Sequence, residues 1–219
     1  MKTGILFDLD GTLLDTLEDL LDAANHALAL FGYPPRTLEQ MRRSVGNGAA
    51  HQLRTSMPEG ASEKQVQQVL AAYKPYYTAH CHVKTRPYAG IPEALADLGR
   101  DFPLAIVSNK PDAAVKALCA QEFSGIFALG ETPDCPRKPA PDSLYRAMAA
   151  IGAERCVYVG DSEVDVVTAK NAGVPCLSVL WGFREEPELL AAGAKHLCRD
   201  PGKLPEAIRA ILKEADHGQ

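Results

Sequence analysis

Asp8 and Asp10 stand two residues apart at the end of a short apolar run, Ile5-Leu6-Phe7, and are followed at once by Gly11 and Thr12. Side chains two apart in an extended backbone point the same way, so both carboxylates can leave the strand end on one side. Acids so placed repel each other unless a cation or a shared proton lies between them. Gly11 permits a sharp turn, and Thr12 adds a small hydroxyl. Three further polar clusters are Ser108-Asn109-Lys110, Arg137-Lys138-Pro139-Ala140-Pro141 and Asp161-Ser162-Glu163-Val164-Asp165. Asp8, Asp10 and Asp161 can supply oxygen ligands to a hard cation; Mg2+ takes a few carboxylates together with waters and a substrate phosphate oxygen. Lys138, held near by prolines, can serve as a point charge on a phosphoryl group and on a neighbouring carboxylate. Ser108 and the backbone N–H groups beside it can donate to phosphoryl oxygens. The chemistry that fits is phosphoryl transfer, mostly positioning and charge neutralisation, with an aspartate as covalent nucleophile. An isolated Asp-x-Asp string is more often a glycine turn with solvated acids, so the weight lies on the set.

The elements that must position these residues follow from periodicity. Ile5-Leu6-Phe7 reads as a buried strand. Leu17, Leu20, Leu21, Ala24, Leu28 and Phe31 then follow three-and-four spacing, an amphipathic helix stopped by Gly32 and Pro34-Pro35. Thr37 can cap a second helix, a short one runs from Ala49 to Met57, and Ser62 to Gln65 forms a capping box for a fourth. No strand is expected between about residues 16 and 80. Residues 84–90 read as a return linker, and Pro92 opens a helix. Beyond it strands at 103–108, 126–129, 156–160, 176–180 and 196–198 alternate with helices at 111–119, 142–151, 163–172 and 204–213. Such alternation predicts an α/β fold, a Rossmann-like parallel sheet covered on both faces. Open parallel sheets place ligands beyond the carboxyl ends of their strands, where the polar clusters fall.

The totals narrow the function classes. The chain has 219 residues, 46% of them apolar, and a net charge of −5, enough for one sizeable core with a smaller inserted unit. A mildly acidic balance gives no general attraction to nucleic acid or an anionic membrane, so any phosphate site must be local. No apolar run approaches a membrane span, and the N-terminus does not read as a signal peptide. The six cysteines show no Cys-x-x-Cys pair, and Cys156, Cys176 and Cys198 lie in or beside apolar runs as buried free thiols do. A cytoplasmic location is expected. His80-Cys81-His82 is read as a polar hinge rather than a metal site, because three adjacent residues give poor ligand geometry, and Tyr73, Tyr76 and Tyr77 as core packing, with a surface of the helical stretch or a dimer contact as the alternative. Trp181-Gly182-Phe183-Arg184 is read as a loop anchored by aromatics, with contact to a ligand or lid as the alternative.

Phe7-Asp8-Leu9-Asp10-Gly11-Thr12-Leu13, Ser108-Asn109, Arg137-Lys138-Pro139-Ala140-Pro141-Asp142 and Gly160-Asp161-Ser162-Glu163-Val164-Asp165 resemble, in order, the four motifs of the haloacid dehalogenase superfamily. The resemblance covers essentially the whole chain. It implies a core with a central first strand (residues 1–14 and 84–219) and a helical cap inserted after the first motif (residues 15–83). By position, Asp8 resembles the nucleophile that forms an aspartyl-phosphate. Asp10 resembles the general acid and base, and also the residue that lends a backbone carbonyl to Mg2+. Ser108 resembles the phosphoryl-oxygen donor with Asn109 beside it, Lys138 the charge-stabilising lysine, Asp161 the direct metal ligand and Asp165 a supporting acid. The expected metal set is Asp8, Asp10 and Asp161 around Mg2+. The expected substrate contacts are Thr12, Asn47, Gly48, Ser108, Asn109 and Lys138.

The same motifs separate reaction types. Dehalogenases of the superfamily lack the second acid, which is present here as Asp10, and phosphonoacetaldehyde hydrolases have Ala there. β-Phosphoglucomutases usually carry a His early in the cap helix, whereas the first His here is His26. Val45-Gly46-Asn47-Gly48 and Arg86-Pro87-Tyr88-Ala89-Gly90 resemble the phosphoglycolate phosphatase branch, although Val45–Gly48 alone also reads as an ordinary interhelix loop. The resemblance therefore implies a phosphatase of small phosphomonoesters, 2-phosphoglycolate first. Pyrophosphate, sugar or nucleotide phosphate hydrolysis and a mutase-like phosphotransfer are the alternatives, and a binding module without activity is the non-enzymatic one. The expected partner is a small phosphorylated metabolite, with no nucleic acid or membrane, on a monomer or homodimer.

Overall fold

A computed structural model describes residues 2–217. Along the chain come β1 (Thr3–Phe7), β2 (Leu14–Asp15), α1 (Leu17–Leu30), α2 (Leu38–Ser44), α3 (Ala49–Ser56), α4 (Glu63–His80), β3 (Arg86–Pro87), α5 (Ile91–Asp101) and β4 (Leu104–Pro111). Then follow α6 (Asp112–Glu122), β5 (Phe127–Glu131), α7 (Asp142–Ile151), β6 (Arg155–Gly160), α8 (Glu163–Ala172), β7 (Cys176–Val179), α9 (Glu186–Ala192), β8 (His196–Cys198) and α10 (Leu204–His217). Six strands form one sheet in the order β5-β4-β1-β6-β7-β8, every neighbouring pair parallel. The fold is α/β.

β1 is buried over its whole length and lies between β4 and β6. Its alternation feeds both layers: Ile5 and Phe7 join the apolar cluster on one face, Leu6 the cluster on the other. The residues just past β1 therefore meet those of β4 and β6 at the carboxyl edge of three adjacent strands.

The helical insertion grows from this edge. α1 buries Leu17, Leu20, Ala23, Ala24, Ala27 and Leu28. α4, which starts at the Ser62/Gln65 capping box, buries Val66, Val69, Leu70, Tyr73 and Tyr77. Burying each large apolar side chain contributes about 1.5–3 kcal/mol, which makes this second apolar layer substantial. Both ends of the insertion are tied together. β2 and β3 pair antiparallel, Leu14 against Pro87 and Asp15 against Arg86. The buried Asp19 carboxylate accepts from Lys84 N–H at 3.0 Å and Thr85 N–H at 2.8 Å.

Some element bounds differ from the expectation. Part of the stretch read as linker at 84–90 is a strand, because two residues suffice to close the ribbon with β2. The helix expected from Pro111 begins at Asp112, since Pro111 still pairs with Glu131 as the last residue of β4. The final helix continues past Lys213 to His217. Among the described residues no helix is long and apolar enough to cross a membrane.

Candidate active site

Asp8, just past β1, is buried, and its Oδ1 accepts from Leu9 N–H at 2.7 Å and lies 2.9 Å from Lys138 Nζ. Among the described residues no donor reaches its Oδ2. Asp161, just past β6, is held by two neutral donors, Thr12 Oγ1 at 2.9 Å on one oxygen and Phe183 N–H at 2.8 Å on the other. Asp165 sits in the first turn of α8 in a reciprocal capping arrangement with Ser162. One of its oxygens accepts from Lys138 Nζ and Tyr158 OH, both at 2.8 Å, and the other from Ser162 N–H at 3.1 Å and Ser162 Oγ at 2.6 Å. A Cβ at Gly160 would lie 2.3 Å from Asp165 Cβ, and one at Gly182 2.3 Å from Asp161 Cβ, so only glycine lets these acids sit where they do.

Carboxylate oxygens of Asp8, Asp161 and Asp165 lie within 4.8 Å of one another, all buried. Burial, reinforced by the Asp165 charge, pushes Asp161 up to about 7 and Asp8 well above the usual carboxylate range. Asp165 goes the other way: burial opposes ionisation, but the Lys138 ammonium and four donated hydrogen bonds hold it below the usual range. Burial disfavours the charged form of Lys138 too, yet Asp165 and Asp8 outweigh this and keep it protonated. Lys138 pairs with Asp8 and Asp165 while Asp161 meets only neutral donors, so a hard divalent cation fits the excess negative charge. Asp165 is saturated with donors, which leaves Asp8 and Asp161 as the side chains able to hold it.

The Asp10 carboxylate lies outside this cluster of three. It accepts from Thr16 Oγ1 at 2.6 Å and Lys110 Nζ at 2.5 Å on Oδ1, and from Ser108 Oγ at 3.5 Å on Oδ2. Any part it takes in holding a cation falls to its backbone. Ser108 and Lys110 come from a stretch where the register between β4 and β5 shifts, a bulge of the kind that re-aims side chains beside a site.

The site is roofed by the insertion. Arg184 donates to the Arg42 carbonyl at 3.0 Å and the Val45 carbonyl at 2.8 Å, Asn109 to that of Gly46 at 2.9 Å and Arg137 to that of Asn47 at 3.2 Å. Gly48, at φ +82°, approaches so closely that an added Cβ would lie 3.1 Å from Arg137 Nη1. The cavity beneath the roof, partly open to solvent, is about 30 Å³, room for a couple of waters. Its walls include Asp8, Asp10, Ser108 and Lys110 from the core and Gly46 and Gln52 from the insertion.

The expected site residues thus separate. Asp8, Asp10, Ser108, Asn109, Asp161 and Gly48 line the cavity. Lys138 and Asp165 stand behind Asp8. Thr12 serves Asp161, Asn47 offers its carbonyl to Arg137, and the Asn109 side chain is spent on Gly46, on the Lys138 carbonyl and on Lys138 N–H. Nothing in the sequence signals the parts played by Thr16 and Tyr158, and Tyr77, expected as core packing, is buried but also holds Lys110 through its hydroxyl. Lys110 is expected from sequence only as part of a rim cluster without a task. Trp181 anchors its loop through Thr12 O at 3.0 Å, while Arg184 of the same loop makes the contact to the insertion. Position at a strand's carboxyl end was the available clue for Lys110 and Arg184. Tyr158, inside an apolar strand, offered none. His80 stacks on Tyr76, and His82 reaches Glu122 at 2.5 Å.

A profile for haloacid dehalogenase-like hydrolases matches residues 5–179. A phosphoglycolate phosphatase of Pseudomonas aeruginosa is 35% identical over 190 residues, covering 82% of this chain and 70% of the relative. One of Pseudomonas putida is 34% identical over 218 residues, covering 90% and 80%. A crystal structure from Lactobacillus delbrueckii subsp. bulgaricus, provisionally named a phosphoglycolate phosphatase, superimposes with a TM-score of 0.88 at 37% identity, over 95% of this chain and 99% of that one. With most of its length matched by the profile and by relatives above 30% identity, the chain belongs to the haloacid dehalogenase-like hydrolase family.

Proposed function

We propose that this hydrolase is a divalent-cation-dependent phosphatase of small phosphomonoesters, with 2-phosphoglycolate as its preferred substrate. The observation that carries the reading is Asp8: its Oδ1 is pinned by Leu9 N–H and Lys138, its Oδ2 is left for a reacting atom, and Asp161 stands beside it. In the first half-reaction Asp8 Oδ2 forms a bond to phosphorus, the ester P–O bond breaks, and its electron pair stays on the departing alcohol oxygen, which takes a proton from Asp10. In the second, a water oxygen attacks the aspartyl-phosphate phosphorus as Asp10 takes a proton from that water, and the Asp8–phosphorus bond breaks with its electron pair returning to the Asp8 carboxylate, releasing phosphate. A Mg2+ held by Asp8, Asp161 and the Asp10 backbone carbonyl would neutralise charge on the phosphoryl oxygens. Ser108 Oγ is the protein's own donor to the same oxygens, and the Lys138 ammonium, its N–H groups spent on Asp8, Asp165 and Tyr158, acts on them through its charge alone.

The small, roofed cavity and the names of the relatives support a small substrate, and the roof must lift to admit it. A phosphate-release panel with Mg2+ tests the reading, comparing 2-phosphoglycolate, pyrophosphate, hexose phosphates and nucleotides. The expected result is highest kcat/KM on 2-phosphoglycolate and loss of release with EDTA. Release from none of them, or a sugar bisphosphate in place of free phosphate, would overturn it.

A further inference from the structure

Lys110 is a buried ammonium, its side chain 2% exposed, on the core strand β4. A charge so buried is strongly disfavoured unless it is paired. Its partners are Asp10 Oδ1 at 2.5 Å and the hydroxyl of Tyr77, and it lies 4.7 Å from the centroid of the Tyr77 ring. Tyr77 belongs to α4, the last helix of the insertion, and Thr16, the other close partner of Asp10 Oδ1, stands directly before α1, the first. The carboxylate of Asp10 is therefore held by groups at both ends of the insertion, one directly and one through Lys110. Both strong donors fall on Oδ1. Oδ2 meets only the long contact to Ser108 Oγ at 3.5 Å, which makes it the oxygen free to carry a proton to the departing alcohol.

We propose that Lys110, seated by Tyr77, is a positioning residue that aims Asp10 Oδ2 at the leaving group, so that proton delivery depends on the placement of the helical insertion. The assignment rests on the phosphatase reading above. Without Lys110 the carboxylate keeps only Thr16 as a close partner and can rotate out of line. Misplacement of a reacting group by about 1 Å can cost on the order of a hundredfold. Asp10 is needed most where the departing oxygen is a poor leaving group, as in an alkyl phosphate, and least where it leaves as a stabilised anion, as p-nitrophenolate does.

The test is a rapid-quench measurement of the first turnover of wild type, Lys110→Met, Tyr77→Phe and Asp10→Asn with 2-phosphoglycolate and with p-nitrophenyl phosphate. For Lys110→Met we expect the first-turnover rate on 2-phosphoglycolate to fall about tenfold to a hundredfold, with KM nearly unchanged. The loss on the p-nitrophenyl ester should be at least about tenfold smaller, leaving a burst of nitrophenolate before slow turnover. Tyr77→Phe should show the same pattern in weaker form, and it carries the test if Lys110→Met does not fold. Equal losses on both esters, or a rise in KM at constant kcat, would overturn the assignment. Asp10→Asn separates the two readings. If it too loses both esters equally, Asp10 is not the acid and the mechanism fails; if it discriminates and the Lys110 and Tyr77 variants do not, only the positioning role fails.

Discussion

Lys138 Nζ lies 2.9 Å from Asp8 Oδ1 and reaches Asp165 on its other side at 2.8 Å, so one ammonium ties the proposed nucleophile to the first turn of α8. Tyr158 OH completes the contact, accepting from Lys138 at 2.9 Å and donating to Asp165. Replacing Lys138 by Met leaves two buried carboxylates without their counter-charge. Removing one partner of a buried pair typically costs about 3–5 kcal/mol. Urea unfolding should show a loss of that order together with loss of turnover, and an unchanged midpoint would contradict the pairing.

The acids set a pH dependence whose sign follows from burial. Asp161 is raised from its ordinary 3.8 to about 7, by burial first and by the Asp165 charge second. A carboxyl with a raised value holds its proton longer when folded than when unfolded. The cation-free protein therefore loses stability as pH climbs from 3.8 towards 7, and recovers it on acidification through the same window. Asp8, also raised, acts in the same direction. A cation that binds the ionised acids offsets this cost, so added Mg2+ should raise the melting temperature far more near pH 8 than near pH 5. Asp161→Asn should flatten the metal-free profile and shrink the Mg2+ response. Melting curves with Mg2+ and with EDTA across that range check both, and an equal Mg2+ shift at both ends would contradict the cation assignment.

Arg184 is the strongest tie between core and roof, with Glu163 at 2.7 Å holding its Nε while its other nitrogens reach the Arg42 and Val45 carbonyls. Arg184→Ala removes both roof contacts together with the Glu163 ion pair and a positive charge that favours ionisation of Asp161, while the donors held by Asp8 and Asp165 stay in place. Hydrogen bonds to charged groups contribute about 1.5–3 kcal/mol each, so local opening should become roughly tenfold more frequent or more. Amide exchange across residues 42–48 should speed accordingly, with a rise in KM. Unchanged exchange there would mean that Asn109 and Arg137 hold the roof unaided.

Much of this arrangement was legible in the residues, and what was not has physical reasons. The acids at 8, 10, 161 and 165 could be placed because apolar strands end where they begin, and parallel sheets put ligands at that edge. The separation of Asp10 from the acid cluster could not. It depends on Lys110, which enters through a register shift in β4 that no periodicity announces. Thr12 reads as a small donor beside Asp8, yet the turn at Gly11 brings it to Asp161, a residue 149 positions away. Tyr77 follows the helical spacing of core residues and is buried as they are, so its hydroxyl's task shows only when α4 is packed against β4. Val45–Gly48 carries backbone carbonyls, not side chains, to Arg184, Asn109 and Arg137, and residue types alone do not reveal such contacts.

The central claim is that Asp8 takes the phosphoryl group. Wild-type protein mixed with Mg2+ and radiolabelled 2-phosphoglycolate, quenched in acid within the first turnover and digested, tests it most directly. The account predicts label on the peptide that contains Asp8, none in Asp8→Asn, and loss of that label during a chase with unlabelled substrate. Turnover without any labelled peptide, or label that persists in Asp8→Asn, would contradict it.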